Sequence, residues 1–167
     1  GRNQIYPGNN FEYHLKPFKK AIKNNLKVIM PYYGIAIDQT SENVAMAYNK
    51  DILTHLLRDQ LGYEGVICTD WGVITGRHWG VDSLNLRERY KKSIEAGVDQ
   101  YGGESSPELI VALVKNNEIS EKRINYSVKK ILINKFDLSL FDNPFVDVDS
   151  VKYKVGTEEN LRKGLVA

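Results

Sequence analysis

The stretch Gly65–Gly72, with the sequence GVICTDWG, decides the fold class of this 167-residue chain. Its first five residues, through Thr69, carry no charge and are mostly apolar or β-branched. A short run of this kind predicts a β-strand that is buried in a sheet. The strand ends at the acidic and aromatic pair Asp70-Trp71, so a carboxylate lies at its C-terminal end.

Upstream of this strand, the sequence predicts a second strand that is followed by a helix. The run Leu26–Tyr33 is short and apolar, which predicts a strand buried on both of its faces. Between the two strands, Asp51–Leu61 places its apolar residues on one helical stripe and stops at Gly62, a residue type preferred just after a helix end.

Downstream of Gly72, helical and strand-like segments continue to alternate. Apolar residues at helical spacing occupy Leu86–Ile94 and are followed by a stop at Gly97. Val98–Tyr101 then predicts a third strand, which the glycine pair Gly102-Gly103 closes. Short strands that alternate with helices indicate a parallel sheet, either part of a barrel or a doubly wound sheet. Because a complete eight-stranded βα barrel needs about 250 residues, three strands in this chain predict a fraction of a domain.

Helices are also predicted nearer the two ends. Phe11–Asn25 has apolar residues at helical spacing, and Ser106 with Pro107 forms a favourable helix start, as cap and first helical residue. Ser120 can cap the next helix, which ends near Leu138. Its predicted core-facing stripe consists of Ile124, Val128, Ile131 and Leu132.

Composition excludes several classes of partner. The 23 basic and 21 acidic residues are scattered, without the basic, aromatic-interleaved run that a nucleic-acid surface requires. No apolar run approaches the roughly 20 residues that span a bilayer. The sequence shows no metal-ligand spacing, so no metal or cofactor is predicted.

The single cysteine, Cys68, lies in an apolar context that indicates a buried small side chain rather than a reactive thiol.

The C-terminal ends of parallel strands open onto the ligand crevice of α/β sheets, which brings Tyr33, Asp70 and Tyr101 to one face. Asp70 is the best-placed carboxylate, and the indole of Trp71 offers a flat apolar platform for a sugar ring. The alternative is structural: Asp70 caps a turn and Trp71 packs at the rim of the sheet.

Five segments, in the same order along the chain, resemble the β-glucosidases of glycoside hydrolase family 3. They correspond to the sixth strand, the helix before the nucleophile strand, the nucleophile strand itself, the next strand and the segment that leaves the barrel. The segments are Val28–Gly34, Asn49–Gly65, Val66–Gly72, Ala96–Asp99 and Lys129–Asp147.

The resemblance extends from about Tyr13 to Asp147 and implies an α/β fold, an incomplete TIM-type (β/α)8 barrel that comprises the last three or so βα units with trailing helices and a linker. It implies that residues 1–147 are a partial catalytic barrel domain and that residues 148–167 form a linker toward an α/β sandwich domain. The expected partners are a carbohydrate, the remaining barrel segments and the sandwich domain of the same protein, with no nucleic acid and no membrane.

Members of this family are retaining enzymes that use one carboxylate as nucleophile and a second acid as proton donor. The resemblance assigns the nucleophile to Asp70. It places Trp71 in the subsite for the nonreducing-end sugar, and it places Tyr33 near Asp70 or the ring oxygen. Structural alternatives stay open for both aromatic residues, namely rim packing for Trp71 and a satisfied hydroxyl for Tyr33.

The resemblance implies that the proton donor is a glutamate of the following sandwich domain, outside these residues. Glu104 is the only internal substitute, and its alternative is a solvated loop glutamate. His14, His55 and His78 do not match the His-Asp dyad of the N-acetylglucosaminide-cleaving branch. His55 is expected to be a surface or packing residue, and His78 a loop residue that could otherwise contact a second sugar.

The implied function is a retaining β-glycosidase that acts from chain ends on β-glucosides or short β-glucans in the complete protein, while the isolated chain is inactive. The alternative is a non-catalytic fragment or a module that binds sugar or serves only a structural role. The sequence leaves sugar, linkage and oligomeric state open, and a periplasmic or extracellular location is compatible with it.

Overall fold

The computed structural model of this protein describes residues 1–166 of the chain. The chain divides into two compact units, residues 1–134 and residues 135–167. Ala167, the last residue of the predicted linker, lies outside the described residues. No helix within residues 1–166 is long and apolar enough to span a membrane.

Four short strands lie in the first unit, and they pair in parallel. The strands are β1 (Asn3–Gln4), β2 (Val28–Ile29), β3 (Ile35–Ala36) and β4 (Val66–Ile67). β2 pairs with β4, and β1 pairs with β3, a pair that the sequence patterns did not predict. A parallel bridge from Cys68 to Gln100 adds the third predicted strand beside β4. The three predicted strands are therefore confirmed as parallel neighbours, in chain order.

Helices connect and follow these strands. The α-helices are α1 (Phe11–His14), α2 (Lys16–Lys23), α3 (Leu86–Ala96), α4 (Pro107–Lys115), α5 (Glu121–Asp137), α6 (Val151–Lys154) and α7 (Glu158–Val166). A π-helix covers Asp51–Gln60, in the position of the predicted helix between β2 and β4. The predicted helices before β2 and after β4 are also confirmed, although the first is interrupted at Leu15.

Local chemistry determines where the helices begin. Asn85 and Glu88 form a reciprocal capping box at the start of α3, each accepting a hydrogen bond from the backbone of the other. The hydroxyl of Ser120 accepts from the amide of Arg123, as predicted for a cap of α5. Ser106 is the N-cap residue of α4 and Pro107, with its fixed φ, begins the helix, as predicted, although the Ser106 side chain forms no capping bond.

Burial corrects two predictions. β2 is not buried on both faces, since Val28 and Met30 are 47% and 53% exposed and β2 pairs along one edge only within the described residues. The predicted core stripe of α5 is also wrong in part, because Val128 and Leu132 are exposed. The buried residue on α5 is Ser127, whose hydroxyl donates to the carboxylate of Asp99, while Ile124 of the stripe is partly buried against the hydrophobic core.

The second unit contains α6 and α7, preceded by a short 3-10 turn at Val148–Ser150. The side chain of Asp147 accepts from the amide of Asp149 and caps that turn. Residues 148–166 therefore hold two α-helices, where the resemblance implied a linker. The boundary proposed at residue 147 stays a prediction.

Candidate active site

Asp70 is the third residue after β4, at the C-terminal end of the parallel sheet. Its position is fixed by Thr69, which is fully buried. The Thr69 amide donates to the carbonyl of Gln100 at 2.9 Å, and its hydroxyl accepts from the amide of Gly102, also at 2.9 Å. Asp70 itself is half-buried, and its Oδ1 accepts from the amide of Trp71 at 2.6 Å. The carboxylate is thus held by backbone at the open end of the sheet.

Trp71 forms a flat platform beside this carboxylate. Its side chain is 62% exposed, and it rests on the glycine pair Gly102-Gly103. A Cβ on Gly102 would lie 2.7 Å from the indole Cε3, and a Cβ on Gly103 would lie 2.6 Å from Cδ1. Only glycine lets the indole lie this close to the backbone, so the pair sets the height of the platform.

The loop after Trp71 is bonded on three sides. The amide of Gly72 donates to the carbonyl of Gly102 at 3.2 Å, and the buried Tyr48 donates its hydroxyl proton to the carbonyl of Val73 at 3.1 Å. Glu104 Oε1 accepts from the amides of Ile74 and Thr75, at 3.0 and 3.1 Å. This loop, defined as residues 72–76 and called the platform loop below, is therefore fixed to the strand of Gln100 and to the core.

Aromatic residues and one cation surround Tyr33 at the end of β2. The Tyr33 ring lies 4.3 Å from the ring of Tyr32 and 5.4 Å from that of Trp79, measured between centroids. Arg77 places its guanidinium carbon 4.8 Å from the centre of the Tyr33 ring and donates to the carbonyl of Trp71 at 2.9 Å. Arg77 therefore joins the end of β2 to the segment that follows Asp70.

Tyr32 lies next to Tyr33, and neighbouring groups raise the pKa of its hydroxyl. A hydrogen bond with Tyr33 raises the pKa of Tyr32, and burial, the Tyr33 charge and the negative charge of Asp70 act in the same direction. Its hydroxyl donates to the carbonyl of Gly1 at 3.2 Å. Tyr32 is therefore joined to Tyr33 and to Gly1 at this end of the sheet.

The remaining candidates fall outside this arrangement or have other partners. Cys68 is buried, and burial raises the pKa of its thiol, as the sequence indicated for an unreactive side chain. His55 is exposed and pairs with Asp51, with 3.0 Å between Nδ1 and Oδ1. His78 is half-buried, and its Nδ1 has no partner among the described residues. Glu104 is not the solvated loop residue of the alternative interpretation, because it is half-buried and bonded to the platform loop.

No group of three His, Cys, Asp or Glu side chains within residues 1–166 could hold a metal ion. The residues brought together here are a carboxylate beside an exposed aromatic platform, with a guanidinium bonded to the same segment. Such a pair suits a sugar ring, since the indole packs against the C–H face while the carboxylate addresses a polarised carbon.

Comparison with known families decides the classification. Residues 5–133 match the family model described as "Glycosyl hydrolase family 3 N terminal domain". The chain belongs to glycoside hydrolase family 3. The match ends near the boundary of the first compact unit and includes Tyr33, Asp70, Trp71 and Glu104.

Two curated fungal relatives are named as β-glucosidases. The chain is 50% identical to "Probable beta-glucosidase C" of Aspergillus flavus over 98% of its own length and 27% of that protein. It is 46% identical to "Beta-glucosidase C" of Emericella nidulans, again over 98% of the chain and 28% of the relative. The chain thus spans about a quarter of the length of these curated relatives.

Solved structures confirm the fold class. The β-glucosidase from Listeria innocua in complex with glucose superposes with a TM-score of 0.81 at 24% identity, covering 96% of this chain and 22% of that one. The parallel sheet is therefore part of a (β/α)8 barrel and not of a doubly wound sheet.

Sequence reasoning missed three contributors to this site. Arg77 and Tyr48 carried no pattern signal, because Arg77 lies over the distant Tyr33 ring and Tyr48 binds a carbonyl 25 positions away. Glu104 was considered only as a proton donor or a solvated residue, and its bonds to the platform loop went unseen. The glycine pair before it did offer a signal, since two successive glycines at a strand end often mark a close approach of backbone to another group.

Proposed function

We propose that the complete protein is a retaining β-glycosidase that hydrolyses β-glucosides or short β-glucans from their nonreducing ends, with Asp70 as nucleophile. One observation carries the proposal: Asp70 stands at the C-terminal end of β4, beside the exposed indole of Trp71, in a chain of glycoside hydrolase family 3. Catalytic residues of (β/α)8 barrels lie at this end of the strands.

The geometry supports a defined sequence of steps. A β-glucoside packs its pyranose ring on Trp71, and the Asp70 carboxylate attacks the anomeric carbon as the bond to the leaving oxygen breaks. A second carboxylic acid, supplied elsewhere in the protein, protonates that oxygen and then removes a proton from water. The water breaks the glycosyl–Asp70 bond, which restores the carboxylate and releases the β-anomer.

Tyr33 and Trp71 have supporting roles in this proposal. The indole of Trp71 is exposed and held at a fixed height by Gly102-Gly103, which supports a role in sugar binding rather than in rim packing. Tyr33 lies beneath the guanidinium of Arg77 and beside Tyr32, with 4.3 Å between the centroids of the two tyrosine rings. These contacts support a place for Tyr33 at the edge of the same subsite.

The decisive experiment is covalent trapping of the complete protein with an activated 2-deoxy-2-fluoro-β-glucoside. We expect the peptide that contains Asp70 to gain the mass of one fluoroglucosyl group, and the Asp70→Asn variant to gain none. Asp59→Asn is the matched control, since Asp59 is exposed on the π-helix, and it should be labelled like the wild type. Labelling that persists in Asp70→Asn would show that another residue is the nucleophile.

Product stereochemistry tests the retaining mechanism separately. Proton NMR of the first product from an aryl β-glucoside should show the β-anomer before mutarotation. Binding of glucosides without turnover by the complete protein would favour the alternative of a non-catalytic module. A panel of aryl β-glycosides then identifies the preferred sugar.

A further inference from the structure

We propose that Glu104 is a positioning residue for the Asp70-Trp71 pair, acting through the platform loop, and not a proton donor. This inference rests on the function proposed above, since it assigns a part to Glu104 in the same site. The feature that carries it is the carboxylate oxygen Oε1, which holds the segment that directly follows the nucleophile and its aromatic neighbour.

Three donors converge on this one oxygen. The amides of Ile74 and Thr75 donate to Oε1 at 3.0 and 3.1 Å, and the hydroxyl of Thr75 does so at 3.3 Å. Ile74 is fully buried, so its amide has no access to water in place of the carboxylate. Removal of Oε1 leaves that amide unpaired, which favours rearrangement of the loop.

The platform loop lies close to Asp70 along the chain, so the bonds to Oε1 also restrict the position of Asp70. Ile74 is the fourth residue after Asp70, and the intervening Gly72 is bonded to the carbonyl of Gly102. Glu104 follows Gly102-Gly103, the pair on which the Trp71 indole rests. The segment 102–104 therefore supports the indole with its backbone and restrains the platform loop with its carboxylate.

The same contacts argue against proton donation by Glu104. A general acid must present its proton to the glycosidic oxygen. Oε1 instead faces two backbone amides and a hydroxyl that approach as donors, so this oxygen holds the platform loop, and the carboxyl group cannot turn toward a glycosidic oxygen without giving up these three bonds. The proton donor of the proposed reaction is consequently sought elsewhere.

The test compares Glu104→Gln with Glu104→Ala in the complete protein. All three bonds use Oε1, so the amide oxygen of glutamine can accept them, whereas alanine cannot. We expect Glu104→Gln to retain kcat/KM within about threefold of wild type, and Glu104→Ala to lose about 100-fold, as small misplacements of reacting groups do. Glu108→Ala, which removes an exposed glutamate on α4, is the matched control and should resemble wild type.

A second readout does not depend on catalysis. Amide hydrogen exchange of peptides covering residues 70–76 should accelerate in Glu104→Ala and stay near wild type in Glu104→Gln. Thr75→Val removes only the hydroxyl donor and should give an intermediate rate. This series remains informative if Glu104→Ala folds poorly, because Glu104→Gln and Thr75→Val keep a side-chain oxygen at position 104 that accepts from the two backbone amides.

Several outcomes would overturn the inference. If Glu104→Gln is as inactive as Glu104→Ala, and azide restores turnover of an activated glucoside by the alanine variant, Glu104 is the acid/base. Unchanged exchange and unchanged kcat/KM in Glu104→Ala would remove any positioning role. A wild-type protein without glycosidase activity would overturn the proposed function, whereas an active wild type with unchanged exchange in Glu104→Ala would overturn only the present inference.

Discussion

The guanidinium of Arg58 donates to the carboxylate of Asp99 at 2.6 Å, although 41 positions separate the two residues in the chain. The same carboxylate accepts from the amide of Ile67 at 3.0 Å and from the hydroxyl of Ser127 at 2.6 Å. The Asp99 side chain is fully buried. This one carboxylate therefore joins the π-helix, β4 and α5 beneath the strand that ends at Asp70.

Asp99→Asn should destabilise the protein strongly. The substitution keeps the shape but leaves the guanidinium of Arg58 buried without its charge partner, which costs about 3–5 kcal/mol. Urea denaturation of the complete protein, monitored with a spectroscopic probe in the barrel, measures this loss of unfolding free energy. The control is Glu159→Gln, which removes one partner of the exposed Lys163–Glu159 pair. It should cost at most about 0.5 kcal/mol, and an equal effect of the two substitutions would contradict the prediction.

Gly103→Ala should impair sugar binding, whereas Gly62→Ala should not. Both glycines have φ of +66°, so alanine strains the backbone equally at each position, by about 1–2 kcal/mol. A Cβ at Gly62 meets no heavy atom within 4 Å, but one at Gly103 would meet the Trp71 indole at 2.6 Å. We expect similar losses of stability and a raised KM for aryl β-glucosides in Gly103→Ala alone. Equal kinetics in the two variants would show that the height of the indole is unimportant.

Trp71→Ala should change kinetics more than stability. Because the side chain is 62% exposed, its removal should alter the free energy of unfolding by less than about 1 kcal/mol. Loss of the platform should raise KM about tenfold, equivalent to about 1.4 kcal/mol of binding. Trp71→Phe, which keeps a smaller ring, should fall between wild type and alanine. Steady-state kinetics with thermal unfolding separates the two effects, and a large loss of stability with unchanged KM would favour rim packing.

Cys68 should resist alkylation in the native protein. Burial raises the pKa of its thiol, so the protonated form persists to higher pH than for an exposed cysteine, and the thiolate is the reactive species. Iodoacetamide at pH 8 should label the peptide containing Cys68 slowly in buffer and rapidly in denaturing urea, as followed by mass spectrometry. Fast labelling of the native protein would indicate that this end of the sheet opens readily.

Much of the fold was predictable from local patterns. The apolar runs around Ile29 and Ile67 predicted adjacent parallel strands, and the glycine after Ala96 predicted the end of α3. The predicted burial of Val128 failed, because helical spacing shows which residues share a face but not what that face meets. α5 meets the sheet through Ser127 and Arg123, whose hydrogen bonds to Asp99 and Val98 no periodicity reveals.

The sequence by itself determined the position of Asp70 and Trp71 at a strand end, since strand propensity and its abrupt termination are properties of neighbouring residues. The order of its family-like segments also indicated glycoside hydrolase family 3, and the family match confirms this. Only the tertiary structure decided how this pair is held. Its supports are Glu104, the backbone of Gly102-Gly103 and the guanidinium of Arg77. The contacts of Glu104 and of the glycine pair join residues that are distant along the chain, and Arg77 also lies over the distant Tyr33 ring. Hydrogen-bond geometry and close packing of this kind arise only after the strands and helices have come together.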